Sequence, residues 1–163
     1  MARKHSSDDH VDEASLVISA TPDRLYDIVT DVSAMGKLSP ECTGGRWLDG
    51  ATGPAVGARF KGTNRRGIAR WTTVNTVVEA EQGSRFAFDT KQSGTRWRFR
   101  FVADDSGTIA TESREPFKRR PLTARVFSRL LLGGVAEHDD EMREGMKATL
   151  ERLKTVAESE STD

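Results

Sequence analysis

The chain has 163 residues, which is long enough to bury one hydrophobic core without help from a metal ion or a disulfide. Its 25 Lys and Arg residues balance 25 Asp and Glu residues, so the chain has no net positive charge that would attract nucleic acid or an acidic partner. The single cysteine, Cys42, cannot form an internal disulfide, and no apolar segment is long enough to span a bilayer. Together with an N-terminus that lacks a secretory signal, these features predict a cytoplasmic protein.

Polar segments at both ends flank one continuous region with hydrophobic periodicity. Residues 1–10 and 158–163 lack hydrophobic periodicity, and we expect both to be disordered tails. Residues 11–157 contain no internal repeat and no Pro-, Gly- or Ser-rich linker. We therefore expect 11–157 to form a single domain.

The first predicted elements are a strand over Val11–Ala20 and a short helix after it. Thr21 offers an N-cap oxygen, and Pro22 occupies the first helical position, where a missing N–H has no consequence. Helical spacing predicts that one apolar face of this helix contacts the sheet, through Leu25, Ile28, Val29 and Val32.

Short alternating segments separated by turn residues then extend from Arg46 to Arg114, a pattern typical of an antiparallel meander. In the clearest segment, Thr95–Val102, aromatic residues alternate with arginines, so one face must be buried and the other hydrated. Asp104–Gly107 is predicted to form the following turn. The other predicted strands are Ala58–Asn64, Trp71–Glu79, Arg85–Asp89 and Thr108–Arg114.

Helical periodicity returns near the C-terminus, where one broad stripe combines Val135, His138, Met142, Gly145, Met146, Thr149, Leu150, Leu153 and Val156. This order of elements predicts an α+β domain: a strand, a small helix, five or six antiparallel strands and a long helix. In such a domain the last helix covers the concave face of the sheet.

Several runs of residues resemble the polyketide cyclase/dehydrase branch of the START-like, or SRPBCC, superfamily, whose fold is shared with the birch-pollen allergen group. In chain order the runs include Thr21-Pro22, Ser39-Pro40-Glu41, Arg46–Gly50, Thr52–Gly62, Trp71 with Val77, Phe86–Phe88, Trp97, Gly107-Thr108, Glu112, Gly145-Met146 and Thr149–Leu153. The resemblance implies a helix-grip fold, a curved antiparallel sheet around a long C-terminal helix that encloses a hydrophobic cavity. It does not imply one reaction, because the superfamily includes carriers, lipid-transfer modules, aromatase/cyclases and assembly factors.

Strand parity predicts which side chains enter that cavity. If the faces that carry Phe60, Trp71 and Ala110 are concave, Asn64, Asn75 and Glu112 are polar groups in an otherwise apolar site. The alternative is that these polar groups only satisfy neighbouring backbone or, for Glu112, pair with an arginine. The predicted ligand-binding set is Phe60, Asn64, Trp71, Thr73, Asn75, Phe86, Phe88, Trp97, Phe99, Glu112, Met142 and Met146.

Two residues are candidates for proton transfer. Glu112 would have its pKa raised inside an apolar cavity, and His138 has a pKa near neutrality. For His138 the favoured interpretation is a position on the cavity rim or the helix flank. For Glu41 and Trp47, which flank the predicted entrance, a solvated loop and simple packing are favoured.

The segment 118–129 combines basic and apolar residues, and it suggests either a lid that contacts a membrane or a solvated face. The solvated face is favoured. The motifs of zinc sites, nucleophile elbows and phosphate loops are missing from the sequence, so we expect no metal and no cofactor. We also expect no nucleic-acid partner, because the arginines and aromatics of Thr95–Val102 point in opposite directions.

The leading hypothesis is a monomeric or homodimeric protein that binds a small hydrophobic or aromatic molecule, lipid or polyketide-like. The alternatives are a cyclase, aromatase or dehydratase that uses the same cavity, and a protein or membrane interaction module that uses the basic segment.

Overall fold

A computed structural model of the chain describes residues 11–118 and 135–159, with the side chains of 135–139 outside the description. Seven strands, two α-helices and a 3-10 helix make up these parts. The elements are β1 (Asp12–Ile18), α1 (Pro22–Thr30), the 3-10 helix (Val32–Lys37), β2 (Cys42–Trp47), β3 (Arg59–Arg66), β4 (Ala69–Glu81), β5 (Arg85–Thr90), β6 (Thr95–Asp104), β7 (Gly107–Pro116) and α2 (Val135–Ser159).

All seven strands form one antiparallel sheet in the order β1-β7-β6-β5-β4-β3-β2. Strands β2 to β7 are a meander of sequential neighbours, and β1 pairs with β7 at one edge through Ile18↔Thr108 and Asp12↔Arg114. The sheet curves around α2, so the predicted α+β helix-grip fold is confirmed.

The elements predicted from hydrophobic periodicity are present, with ends that differ by one or two residues. The Thr21 hydroxyl accepts a hydrogen bond from the Arg24 amide at 3.2 Å, which caps α1 as predicted. The apolar face of α1 is buried through Leu25 and Val29. Tyr26 is also buried, and its ring packs edge-to-face against that of Phe86.

The glycine-rich strand β2 was not predicted, because Gly44 and Gly45 interrupt the alternation that marks a strand. The structure explains why glycine is needed there. A Cβ on Gly45 would lie 2.8 Å from the Val32 carbonyl oxygen, and one on Gly36 would lie 2.6 Å from that of Thr43. The 3-10 helix therefore packs directly on the backbone of β2, a close approach that larger residues would prevent.

A β-bulge in β4 changes which side chains face inward. The register with β5 shifts between Val77 and Glu79, so Val77 pairs with Phe88 whereas Ala80 pairs with Phe86. Such an extra residue bends a strand and increases its twist. The bulge lets both Val77 and Ala80 pack on the core although their positions differ in parity.

The guanidinium face of β6 is covered by carboxylates of neighbouring strands. Arg96 donates two hydrogen bonds to Asp89, at 2.7 and 3.0 Å, and Arg98 lies between Glu79 and Glu115. On the aromatic face of the same strand Phe99 and Phe101 are buried and Trp97 is partly buried. The predicted division of β6 into a polar and an apolar face is therefore observed.

Helix α2 is held against the sheet edge by apolar packing and by an ion pair with the buried Asp12. Leu150 and Leu153 are buried within the core cluster. Asp12 of β1 accepts hydrogen bonds from Arg114 of β7 and Arg143 of α2, at 2.9 and 2.8 Å. No helix in the described ranges 11–118 and 135–159 is long and apolar enough to cross a membrane.

Candidate functional site

A cavity of about 280 Å³ lies between the concave face of the sheet and α2. Its walls come from the 3-10 helix and the residues after it, from strands β2 to β7, and from one face of α2. The solvent-exposed members of its lining, Pro40 and Gln92, mark the side on which it opens. The fold thus provides a preformed pocket of the kind that takes small molecules.

Aromatic rings from adjacent strands make the apolar wall. Phe60 and Phe88 meet edge-to-face with their centroids 5.0 Å apart, and Trp97 pairs with Phe88 in the register of β5 and β6. Trp71 and Phe99 extend the wall to either side. Met142 and Met146 of α2 face these rings from the opposite side, and their flexible side chains suit an adaptable apolar contact.

A polar network lines the part of the cavity formed by β3, β4 and β5. The Thr90 hydroxyl donates to the Asn75 side-chain oxygen at 2.7 Å, and the Asn75 amide nitrogen donates to the Thr73 hydroxyl at 3.3 Å. Asn64 reaches the same Thr73 oxygen at 3.5 Å. A Cβ on Gly62 would lie 2.9 Å from that oxygen, so the glycine leaves room for this network.

Glu112 lies on the far side of the cavity, on β7 opposite Phe99 of β6. The residue is 5% exposed, and its Oε2 is buried without a hydrogen-bond partner among the described residues. Burial raises the pKa of the Glu112 carboxyl well above its ordinary value, because a carboxylate there would lose its hydration. Burial therefore favours the protonated form of this carboxyl, and its Oε2 has unused hydrogen-bonding capacity.

Arg114, two residues farther along β7, is the cavity's one cationic group among the described lining residues. Its guanidinium is buried and held by Asp12 through Nε and Nη2 at 3.1 and 2.9 Å. Although burial by itself raises the pKa of Asp12, the hydrogen bonds from Arg143 and Arg114 lower it overall. The Asp12 carboxylate thus balances the charge of Arg114.

Glu41 lines the cavity between the 3-10 helix and β2. Burial raises its pKa to about 7, an effect that Glu141 reinforces and Arg66 opposes. Arg66 of β3 also forms an ion pair with Glu141 of α2. This side of the cavity is therefore a cluster of charged groups in which one carboxyl titrates near neutral pH.

Every residue of the predicted ligand-binding set lines the cavity except Phe86. Phe86 does lie on the inner face, but its ring is fully buried between those of Tyr26 and Phe88. Because α1 covers this end of the sheet, Phe86 belongs to the closed core. The alternative that Glu112 pairs with an arginine is not observed among the described residues.

Other predictions concern parts of the chain outside the description. The His138 side chain and, apart from Lys118, the basic segment 118–129 are not among the described residues. The structure adds lining residues that the prediction did not include: Val29, Met35, Leu38, Ser39, Pro40, Glu41, Cys42, Gly62, Thr90, Gln92, Ser93, Thr95, Arg114, Gly145 and Thr149. Parity could have identified Arg114 from Glu112, and the helical stripe could have identified Thr149.

Within the described ranges no three His, Cys, Asp or Glu side chains are grouped so that they could hold a metal ion. Cys42 lines the cavity, and its thiol donates to the Gly44 carbonyl at 3.4 Å. Burial raises the pKa of this thiol, which keeps it protonated and weakly nucleophilic.

The sequence from residue 10 to residue 158 matches the family model described as polyketide cyclase/dehydrase and lipid transport. The chain belongs to this family. The match spans the sheet, both helices and the whole cavity, which agrees with the resemblance noted from the sequence. No match is found among curated proteins.

Solved structures share the fold of this family member. The polyketide-cyclase-like protein Cgl2372 from Corynebacterium glutamicum is 28% identical, with 93% of each chain covered and a TM-score of 0.62. The protein TTHA0849 from Thermus thermophilus is 16% identical, with 94% of this chain and 100% of that chain covered and a TM-score of 0.70.

The di-domain ARO/CYC protein StfQ of the steffimycin biosynthetic pathway is 14% identical, with a TM-score of 0.69. The match covers 94% of this chain and 52% of StfQ. The present chain therefore corresponds in fold to about one half of that protein.

Proposed function

We propose that this protein binds an uncharged, largely apolar small molecule, lipid or polyketide-like, in the cavity between the sheet and α2. The observation that carries the proposal is the cavity's composition, in which aromatic rings of four strands face two methionines of the helix. Burial of apolar ligand surface against such walls is favourable by about 25 cal/mol per Å². The family description, which names both cyclases and lipid transport, agrees with this class of ligand.

The cavity's size restricts the ligand. Its volume of about 280 Å³ lies near the lower end of ligand pockets, which span roughly 300–1,000 Å³. A compact molecule of one or two fused rings, or a short acyl chain, fits this limit better than a membrane phospholipid with two long chains.

Binding can be tested with the uncharged fluorophore N-phenyl-1-naphthylamine. We expect its emission to rise when it enters the cavity, with energy transfer from Trp71 and Trp97, which line the wall. Gly145→Phe should block binding because Gly145 lines the cavity beside Pro40, whereas the matched Gly145→Ala adds a Cβ at an ordinary 3.6 Å contact. Equal binding by wild type and Gly145→Phe, with both folded, would contradict the cavity as the binding site.

A second candidate function is catalysis in the same cavity, favoured by the neutral acid Glu112 across from the Asn75 network. A hydrogen bond from an acid to a ligand carbonyl acidifies the adjacent C–H bonds. For a cyclase or dehydratase we expect the protein to accelerate hydrogen–deuterium exchange of the methyl group of 2-acetylnaphthalene, measured by NMR, and Glu112→Met to abolish the acceleration. A carrier leaves the exchange at the buffer rate while still binding the ketone.

A further inference from the structure

Among the described residues, Glu112 is the one whose side chain has a fully buried polar atom, Oε2, without a hydrogen-bond partner. The side chains of Asn75, Thr73 and Thr90 are joined to one another by hydrogen bonds of 2.7 to 3.3 Å. Arg114 is held by Asp12. The Glu112 Oε2, by contrast, is buried and reached by no donor or acceptor of the described residues.

A buried polar atom without a partner is destabilising, because it has lost its hydration and gains no hydrogen bond in return. Folding therefore favours any substitution that removes it, unless the group acts on something that enters the cavity. The Glu112 side chain lines the cavity and stands next to Phe99, against which a flat apolar ligand would lie. A ligand is thus the partner that this geometry lacks.

We propose that the Glu112 carboxyl donates a hydrogen bond to an acceptor oxygen of the bound molecule and so selects uncharged, oxygen-bearing ligands over hydrocarbons of the same shape. The inference rests on the proposed ligand-binding function and assigns the residue that determines its specificity. It holds for a carrier and for an enzyme, since recognition precedes any chemistry.

The charges around Glu112 determine which polar ligands fit. Arg114 lies two residues away on the same face of β7, so a cationic amine would approach a guanidinium. An anionic ligand would compete with Asp12 for Arg114 and would still leave Glu112 facing a negative charge. A neutral acceptor such as a ketone oxygen satisfies Glu112 and disturbs neither pair.

The position of Glu112 also orients the ligand. Strands β7 and β4 are separated by two intervening strands, so Glu112 and Asn75 are about 14 Å apart across the strands at the usual strand spacing. They are also offset along the strands, because Asn75 lies in register with Pro116 and not with Glu112. Aromatic side chains of β5 and β6 fill the interval. The ligand therefore lies with its apolar body on these rings and its oxygen toward β7.

The test compares two probes of nearly identical shape, 2-acetylnaphthalene and 2-isopropenylnaphthalene, in which the carbonyl oxygen is replaced by a methylene carbon. Both are measured by displacement of N-phenyl-1-naphthylamine. We expect Glu112→Met to lower the ketone-to-alkene affinity ratio roughly five- to tenfold, the scale of one hydrogen bond from an otherwise unpaired group. Because the ratio is compared between proteins, the different water solubilities of the probes cancel.

Glu112→Gln is the conservative control, since its amide N–H still donates, and we expect it to retain most of the ketone preference. The pH dependence of the ketone preference of wild type provides a second test, which needs no substitution. This preference should decline as pH rises through the Glu112 titration, because a carboxylate cannot donate and repels the ketone oxygen. Glu112→Gln should show no such decline.

Other titratable groups that line the cavity do not mimic this behaviour. Among the described residues these are Glu41, Cys42 and Arg114, because β5, β6 and α2 contribute only uncharged side chains. Burial raises the pKa of the Cys42 thiol, which favours its protonated form. Glu41→Gln controls for the carboxyl whose pKa is about 7, and it should leave the decline in place.

The outcomes separate the inference from the function on which it rests. If both probes bind and the affinity ratio is the same in wild type and Glu112→Met, at every pH, the inference is wrong while the binding function stands. If neither probe displaces the fluorophore and the fluorophore itself does not bind, both fail together.

Discussion

Glu112 places a titratable carboxyl where water has little access, and this has a consequence for stability as well as for binding. The unfolded chain releases the Glu112 proton near the ordinary pKa of 4.5, whereas the folded protein retains it to higher pH. Because the folded pKa is the raised one, the unfolded state binds fewer protons above pH 4.5, and stability falls as pH rises. The loss continues until the pH passes the folded pKa.

We therefore expect Glu112→Gln to be about as stable as wild type below pH 4.5 and increasingly more stable above it. The quantity to measure is the free energy of unfolding in urea at a series of pH values, taken as the difference between variant and wild type. The pH-dependent contributions of Asp12 and Glu41 cancel in this difference, because their pKa shifts are present in both proteins. Glu151→Gln, an exposed position of α2, is the control and should give a flat difference. A difference that shrinks with pH would contradict a buried neutral Glu112.

Among the elements, α2 is joined to the edge strand β1 by a polar link through Asp12 and Arg143. Asp12 of β1 is 6% exposed and binds both Arg114 and Arg143. Arg143 is half-exposed, so its part of the link is screened by water, but Arg114 is buried with Asp12. Removing the carboxylate would leave the Arg114 guanidinium buried beside the cavity without its counter-charge.

We expect Asp12→Asn to destabilise the protein by about 3 kcal/mol, the usual effect of breaking a buried ion pair from one side. Asp140→Asn removes the other carboxylate that contacts Arg143, an exposed partner at 3.0 Å, and should change stability by less than about 0.5 kcal/mol. Thermal unfolding followed by circular dichroism measures both. Equal effects of the two substitutions would show that the buried Asp12–Arg114 pair does not stabilise the fold.

The bulge in β4 and the glycines of β2 also affect how single elements pack. Both are local departures from regular alternation, and each changes how the sheet meets a neighbouring element. Val77 and Ala80 face the core together only because Val78 is the extra residue between them. Predictions from periodicity are therefore least accurate at the bulge and at these glycines, although both help to shape the cavity.

At the scale of the whole molecule, the sheet, α1 and α2 enclose a core that is closed at one end and hollow at the other. Tyr26 and Phe86 fill the closed end under α1, while Phe88 and Phe99 face the hollow part. Two residues on one strand, Phe86 and Phe88, thus have different roles although they share a face. The difference depends on which helix lies above each of them.

Local patterns in the sequence are enough to predict the α+β class, the meander, both helices and the inward face of most strands. Alternation of Trp97, Phe99 and Phe101 with arginines is a local signal, and so is the capped start at Thr21-Pro22. Parity alone also predicted that Asn75 and Glu112 share the concave side, because a side chain's face follows from its position along the strand.

Which inward residues line a cavity and which fill a core depends on how distant elements pack together. Strand parity groups Phe86 with the cavity residues, and the loop pattern favours a solvated Glu41, because neither pattern reveals what packs over a residue. Three features depend on contacts between segments far apart in the chain. They are the raised pKa of Glu41, the Asp12–Arg114–Arg143 link and the burial of the unpartnered Glu112 oxygen. Periodicity reports the direction of a side chain, whereas burial and charge pairing depend on distances between elements, and those exist only after folding.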